Sequence, residues 1–253
     1  MEHEPTPLPA PRTMLVTGAG SGIGRAVARR MLAAGWNLVL AGRRIGALED
    51  TAAGYSNALV IPTDVSVPAA VEALFAEAQH RFGRIDVLFN NAGAFGPAAD
   101  IGELDPGEWE AVAAVNLTGA MLCAGAAFRA MRECGGRIIN NGSISAQVPR
   151  PRSVAYAVTK HAIAGLTKSI ELDGRAYGIC ATELDIGNAA SGMMRDVGAQ
   201  AGALQADGSR RVEPVFDLEQ AAAAVEFVAT LPAGTSVNQL TITATGMPFI
   251  GRG

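Results

Sequence analysis

Tyr156 and Lys160 stand four residues apart in a segment whose apolar spacing predicts a helix from Val154 to Tyr177. Residues at i and i+4 share one helix face. A free phenol keeps its proton until about pH 10, too high for rapid exchange at neutral pH. A neighbouring ammonium favours the phenolate and lowers that value. Such a pair could exchange a proton with a substrate oxygen. Taken alone, a Tyr/Lys pair on a helix is more commonly an amphipathic surface pairing. Ser143 follows a strand and Asn116 stands in a helical stretch. Alone, the first reads as a cap or turn residue and the second as a partner for backbone groups.

A second group of residues suits phosphate. Thr17-Gly18-Ala19-Gly20-Ser21-Gly22-Ile23-Gly24 follows an apolar strand and opens a helix. Glycine lets backbone turn tightly and approach a ligand. A helix N-terminus then offers free N–H groups and a positive dipole end to a pyrophosphate. A tight turn is the plainer reading of the glycines by themselves; the strand before and helix after favour the nucleotide. In dinucleotide-binding folds an acid about 20 residues past the loop bonds the ribose 2′-hydroxyl. Gly42 holds that place here, followed by Arg43 and Arg44. Cations at a helix N-terminus are disfavoured unless an anion is near. A 2′-phosphate fits, so NADP(H) is the expected preference, with NAD(H) also admissible. Two solvated arginines are the alternative.

The elements that must position these residues alternate without a break. Strands are expected at Thr13–Thr17, Asn37–Ala41, Ala58–Pro62, Ile85–Asn90, Arg137–Asn141, Ile179–Ile186 and Gln239–Thr243. Helices are expected at Ile23–Ala34, Arg44–Ala53, Val67–Phe82 with Ser66 as N-cap, Pro106–Cys134, Val154–Tyr177 and Leu218–Leu231. Unbroken apolar strands with crossover helices predict an α/β fold. This is a single-domain, Rossmann-like, doubly wound parallel sheet of about seven strands with helices on both faces. Residues 1–12, with four prolines, read as a flexible N-terminal arm before a catalytic domain at 13–253. Residues 188–214, rich in Gly, Ala and polar side chains, read as a mobile substrate flap.

Composition excludes several classes. Of 253 residues, 49% are hydrophobic and 17% charged, too apolar for a disordered chain. Lys and Arg number 20 against 24 Asp and Glu, so no basic excess exists to meet nucleic acid. Three cysteines without ligand-spaced partners suggest neither a disulfide framework nor a metal site and fit a reducing cytoplasm. No signal peptide is expected, and the apolar run from Gly119 stops at Arg129, so no membrane partner is expected.

Taken in order, these residues resemble the short-chain dehydrogenases/reductases, over nearly the whole chain from Thr13 to about Thr243. The loop at Gly18, Gly22 and Gly24 is similar to that family's T-G-x3-G-x-G. Asp64-Val65 resembles its adenine-contacting pair and Asn90-Asn91-Ala92-Gly93 its N-N-A-G. Asn116 and Ser143 match its helix asparagine and its serine, and Tyr156-x3-Lys160 its Y-x3-K, thirteen residues past Ser143. The resemblance implies a catalytic set of Asn116, Ser143, Tyr156 and Lys160. Ser143 would bond the substrate oxygen, Lys160 the nicotinamide ribose, and Asn116 a water relaying protons to Lys160. It implies cofactor contacts from Gly18, Gly20, Ser21, Gly22, Ile23, Gly24, Arg43, Arg44, Asp64, Val65, Asn91, Ala92, Gly93, Tyr156, Lys160 and Gly187.

The activity implied is interconversion of a secondary alcohol and a ketone on a small-molecule substrate, by a homotetramer. A cofactor-sensing binding protein, or a dehydratase or epimerase on the same fold, is the alternative. Two departures stand out. Strand six ends Thr182-Glu183-Leu184-Asp185-Ile186-Gly187, where the family has N-x-[IV]-x-P-G, and Gly142-Ser143 stands where two serines are commoner. Around the site, Phe95, Ser145, Gln147, Asn188, Met193 and Met194 lie on segments that line the family's substrate side. Arg150 and Arg152 could meet an acidic substrate group, though a solvated loop is the simpler expectation.

Overall fold

The structure is a computed structural model; it describes residues 11–190 and 202–250. Its centre is a seven-stranded parallel sheet in the order β3-β2-β1-β4-β5-β6-β9. The strands are β1 Thr13–Thr17, β2 Asn37–Gly42, β3 Ala58–Pro62, β4 Val87–Asn90, β5 Gly136–Asn141, β6 Ile179–Ile186 and β9 Gln239–Ile242. Strand side chains alternate between faces, and both faces are covered. Met14 and Val16 point into one core with α1 Gly22–Ala33, α2 Ile45–Ala52 and a helix at Leu218–Thr230, here α7. Leu15 and Leu88 point into the other, beneath α3 Pro68–Phe82, α5 Ala120–Met131 and α6 Val154–Gly174. The fold class expected from the sequence is the one found.

The strand order reverses between β1 and β4, which opens a crevice at their carboxyl ends. In open α/β sheets ligands bind at this point.

Several boundaries differ from expectation. The helix predicted from Pro106 to Cys134 is α4 Pro106–Ala113, one wide π-helical turn at Ala114–Gly119, then α5. By length and composition the run Pro106–Met131 could cross a membrane. Here its apolar face, including Cys123, Ala124, Ala127 and Met131, is core. Ser66 does not cap α3: Val67 holds that place, Pro68 follows at the first turn, and Ser66 bonds Asp64 instead. The proline lacks an N–H and is pre-set for helix, which removes one of the free donors a cap would otherwise meet. Arg12, the end of the expected arm, is already tied: its carbonyl accepts from Asn37 N–H and its guanidinium lies 4.4 Å from the Trp36 ring centroid. Of the expected flap, residues 191–201, with Met193 and Met194, lie outside the described residues. The remainder holds a short antiparallel pair, β7 Ala203–Leu204 with β8 Arg210–Arg211.

Candidate active site

The glycine loop joins β1 to α1 at the crevice. Gly18 and Gly22 have φ of +67° and +53°, where a side chain is strained. A Cβ on Gly24 would sit 2.3 Å from the Gly18 carbonyl oxygen, so α1 presses directly on the loop. Ser21, at the N-cap, makes no side-chain cap bond, and no acid stands in the first turn. The turn's N–H groups are therefore left for a ligand. Arg25 fixes the loop from behind by donating to Gly20 O at 2.6 Å.

Thr17 links this loop to the next strand. Its hydroxyl oxygen accepts from the N–H groups of Asn91 and Ala92 at 2.8 and 2.9 Å, and Asn91 Nδ2 donates to Thr17 O at 2.8 Å. Asn90 Nδ2 donates to Ala120 O and to Asn140 Oδ1, tying β4 to α5 and β5. At the far end of the loop Gly18, Gly20, Gly42, Arg43, Arg44, Asp64, Val65 and Gly93 line one hollow of about 170 Å³. Arg43 and Arg44 are exposed and enter no salt bridge among the described residues. Hydrogen bonds from Ser66, and secondarily Arg43's charge, hold the Asp64 carboxyl below the usual carboxylate range.

The neighbouring cavity, of about 260 Å³, brings together Ser21, Gly22, Ile23, Asn91, Gly93, Ser143, Tyr156, Lys160 and Gly187. Loop and Tyr/Lys face thus open onto one space. Lys160 is buried and donates to Asn141 O at 2.5 Å; its Nζ is 5.6 Å from the Tyr156 ring centroid. Phe95 stacks on Tyr156 with centroids 4.8 Å apart.

The expected lowering of the Tyr156 pKa is not what this arrangement gives. Burial raises the phenol, the Ser143 hydroxyl works against that, and Asp185's charge raises it further. Burial brings Lys160 down to about 8, with Asp185 and Glu183 resisting.

Asn116 does not line the cavity. It stands in the π turn, where its Oδ1 accepts from Ala94 N–H at 2.7 Å and its Nδ2 donates to Ala94 O at 2.8 Å and Thr159 Oγ1 at 3.2 Å. Its amide braces the loop after β4 against the helix turn that carries Lys160.

Arg150 is not in a solvated loop. Its Nη1 and Nη2 donate to Glu213 Oε1 and Oε2 at 2.8 and 2.5 Å, and Nη2 also to Asn188 Oδ1 at 3.0 Å. Burial works to raise Glu213, but bonds from Arg150, Asn188 and Gln205 outweigh it and bring the carboxyl down to about 2. Arg152 is exposed, donating to Ala98 O and pairing with Glu103. Glu213 was invisible to sequence reasoning because its partner lies 63 residues away. Asp185, unexplained in the sequence, accepts the Ser143 N–H at 2.9 Å.

Comparisons with known proteins give the family and the fold. The family model described as short chain dehydrogenase matches residues 12–202. A 3beta-hydroxysteroid dehydrogenase from Mediterraneibacter gnavus is 39% identical over 175 residues, 66% of this chain and 62% of that protein, so the match spans under two thirds of that relative. Sulfoacetaldehyde reductase 2 from Chromohalobacter salexigens is 33% identical over 242 residues, 92% of this chain and 94% of that one. A solved 3-ketoacyl-(acyl-carrier-protein) reductase from Brucella melitensis, complexed with NADH, shares the fold: TM-score 0.81 and 24% identity, covering 92% of this chain and 97% of that one.

Proposed function

The chain belongs to the short-chain dehydrogenase family, and from that premise we propose that it interconverts a secondary alcohol and a ketone using a nicotinamide dinucleotide, NADP(H) before NAD(H). The observation that carries this reading is the single cavity lined by both the glycine loop and the Ser143, Tyr156 and Lys160 side chains. When bound, the nicotinamide gives or takes the hydride.

The chain's residues do the rest. Gly18, Gly22 and the first turn of α1 fit a pyrophosphate: a Cβ at position 18 would meet Asn91 Nδ2 at 2.9 Å, so the cradle tolerates only bare backbone. Lys160 binds ribose hydroxyls. Ser143 donates to the substrate oxygen, and Tyr156 transfers its phenolic proton to that oxygen as negative charge develops there. An alkoxide is a stronger base than a phenolate, so the proton still passes to the developing alkoxide although burial raises the phenol. Asn116 acts through others, keeping the loop after β4 and the Thr159–Lys160 turn in register.

Arg43 and Arg44 support NADP(H), being exposed cations at a helix start with no carboxylate at Gly42. A charge-assisted bond contributes roughly 1.5–3 kcal/mol, equivalent to about 10–150-fold preference. The relatives act on substrates as unlike as a steroid and a sulfonated aldehyde, by their names. Substrate must therefore be argued from this cavity. Besides Lys160, Arg150 is the cation lining it among the described residues, and Glu213 neutralises it. Phe95, Ile144, Ile186 and Ala189 are apolar walls. An uncharged ketone fits better than a carboxylate or sulfonate. The test is NADPH consumption at its absorbance band with neutral cyclic ketones beside sulfoacetaldehyde. Turnover of the neutral compounds supports the reading. Cofactor binding without oxidation across a broad ketone panel points to a sensor instead.

A further inference from the structure

Strand β6 carries two acids where a strand buried on both faces should be apolar. Asp185 is wholly buried and Glu183 is 3% exposed. They share a strand face with Ala181, which packs in the core under α6. Asp185 Oδ1 accepts from Ser143 N–H at 2.9 Å, and Oδ2 accepts from Gln147 Nε2 at 2.8 Å and Gln239 Nε2 at 2.9 Å. Three N–H donors and no acceptor suit a carboxylate, which only accepts. Glu183 Oε1 is buried without a hydrogen-bond partner.

Gly142 explains how the pair fits. A Cβ there would lie 2.3 Å from Asp185 Oδ1 and 3.1 Å from Glu183 Cγ. The acids occupy the space that any other residue at 142 would fill. Gly142, one of the two departures seen in the sequence, is thus the position that makes room for the two acids.

Close by is Lys160, a buried ammonium that donates to the carbonyl of Asn141, the residue before Gly142, and has no carboxylate within 4.0 Å among the described residues. We propose that Asp185 is a positioning residue of this site: seated over Gly142, it fixes Ser143 and, with Glu183, supplies the buried counter-charge for Lys160. The inference rests on the proposed roles of Ser143 and Lys160.

The groups facing the acids can be named element by element. Helix α6 contributes Tyr156, Lys160, His161 and Lys168. Strands β5 and β9 contribute the neutral Asn140 and Gln239, by register opposite Glu183. Burial, then Asp185's charge, pushes Glu183 up to about 7, with Lys168, Lys160 and His161 opposing. Without Asp185's charge, Lys160 gives up its proton at lower pH.

The experiment compares parent, Asp185→Asn, Glu183→Gln, Gly142→Ser and the double variant Gly142→Ser/Asp185→Ala, each checked for folding by thermal denaturation. Affinity for NADPH is read by its fluorescence against pH. In the parent it falls as pH rises past the Lys160 range near 8. Asp185→Asn keeps an acceptor oxygen but no charge, so the fall begins about one pH unit lower; Glu183→Gln moves it the same way by less. Superimposable profiles overturn the counter-charge, and Glu183→Gln decides alone if Asp185→Asn does not fold. Gly142→Ser lowers kcat by about tenfold or more, and removing the Asp185 carboxyl in the double variant recovers part of that loss. Parent kcat in Gly142→Ser, or no recovery in the double variant, overturns the seating. Tyr156→Phe runs alongside: if it retains turnover, the proposed function itself falls, whereas its loss of turnover with unmoved Asp185→Asn profiles sinks only this inference.

Discussion

A phenol pressed beneath a phenylalanine ring holds its proton more tightly than in water and yields it only to a stronger base, such as an alkoxide forming on the substrate. That is Tyr156 under Phe95, with burial raising its pKa. Removing the hydroxyl keeps the ring stack and takes away the transferable proton. Tyr156→Phe is therefore expected to bind NADPH as the parent does and to lose 10²–10⁴ in kcat; stopped-flow turnover beside a binding titration checks it. A kcat within about threefold of the parent would remove Tyr156 from the chemistry. Cofactor choice belongs to this scale too. Arg43→Ala should lose about tenfold or more in kcat/KM for NADPH and change little for NADH. A parent enzyme that prefers NADH tenfold would refute the assignment of Arg43. The Tyr156 expectation was legible through the family motifs taken in order, and that for Arg43 through the missing acid at Gly42. Asp185 was not, because its meaning depends on Ser143, 42 residues away, and on the empty Cβ position at Gly142.

At the scale of elements, strands declared themselves and helix interruptions did not. Met14-Leu15-Val16 and Leu38-Val39-Leu40 are unbroken apolar runs because both sheet faces are covered, and such runs leave a clear trace. The π turn at Ala114–Gly119 sits in an alanine-rich stretch with no proline or helix-breaking pair, so nothing local announces it. Its cause is tertiary: Asn116 reaches across to Ala94 and Thr159. Asn116→Ala strands the Ala94 N–H and is expected to cost about 1–3 kcal/mol, lowering Tm by several degrees in a calorimetric scan.

The Arg150–Glu213 contact joins two further elements, the loop before α6 and the segment after β8. The Glu213 carboxyl ordinarily titrates at 4.5 and is held near 2 in the fold. A depressed acid stabilises above its unfolded value and loses that contribution as pH falls through the folded one. With its side chain 3% exposed, the contribution is on the order of 2–3 kcal/mol. Glu213→Gln should flatten the fall of Tm between pH 4.5 and about 2. Equal slopes in parent and variant would show that the contact does not carry this acid dependence.

At the scale of the whole molecule, the sheet's reversal between β1 and β4 brings loop, serine and helix to one crevice. The outer face of α6 is a separate matter. Ile101 and Val158 are 76% and 48% exposed. They flank an unfilled hollow of about 360 Å³ with Leu104, Pro106, Trp109 and Val154. Exposed apolar patches rimmed by polar residues can mark association sites. In the segment from Thr243 to Ile250, Met247 packs on its own subunit against Ile144 and Ala244, while Ile250 is exposed. Self-association through the α4/α6 face is the expected outcome, since a two-fold axis there would set each patch against its copy. Light scattering at micromolar concentration should report an assembly rather than 25.9 kDa. Val158→Glu places a charge in the middle of the patch, on the side of α6 away from the buried Lys160. It should shift the mass toward smaller species while NADPH affinity per chain stays near the parent's. A monomeric parent, or a Val158→Glu chain that assembles as the parent does, would rule out this face as the contact.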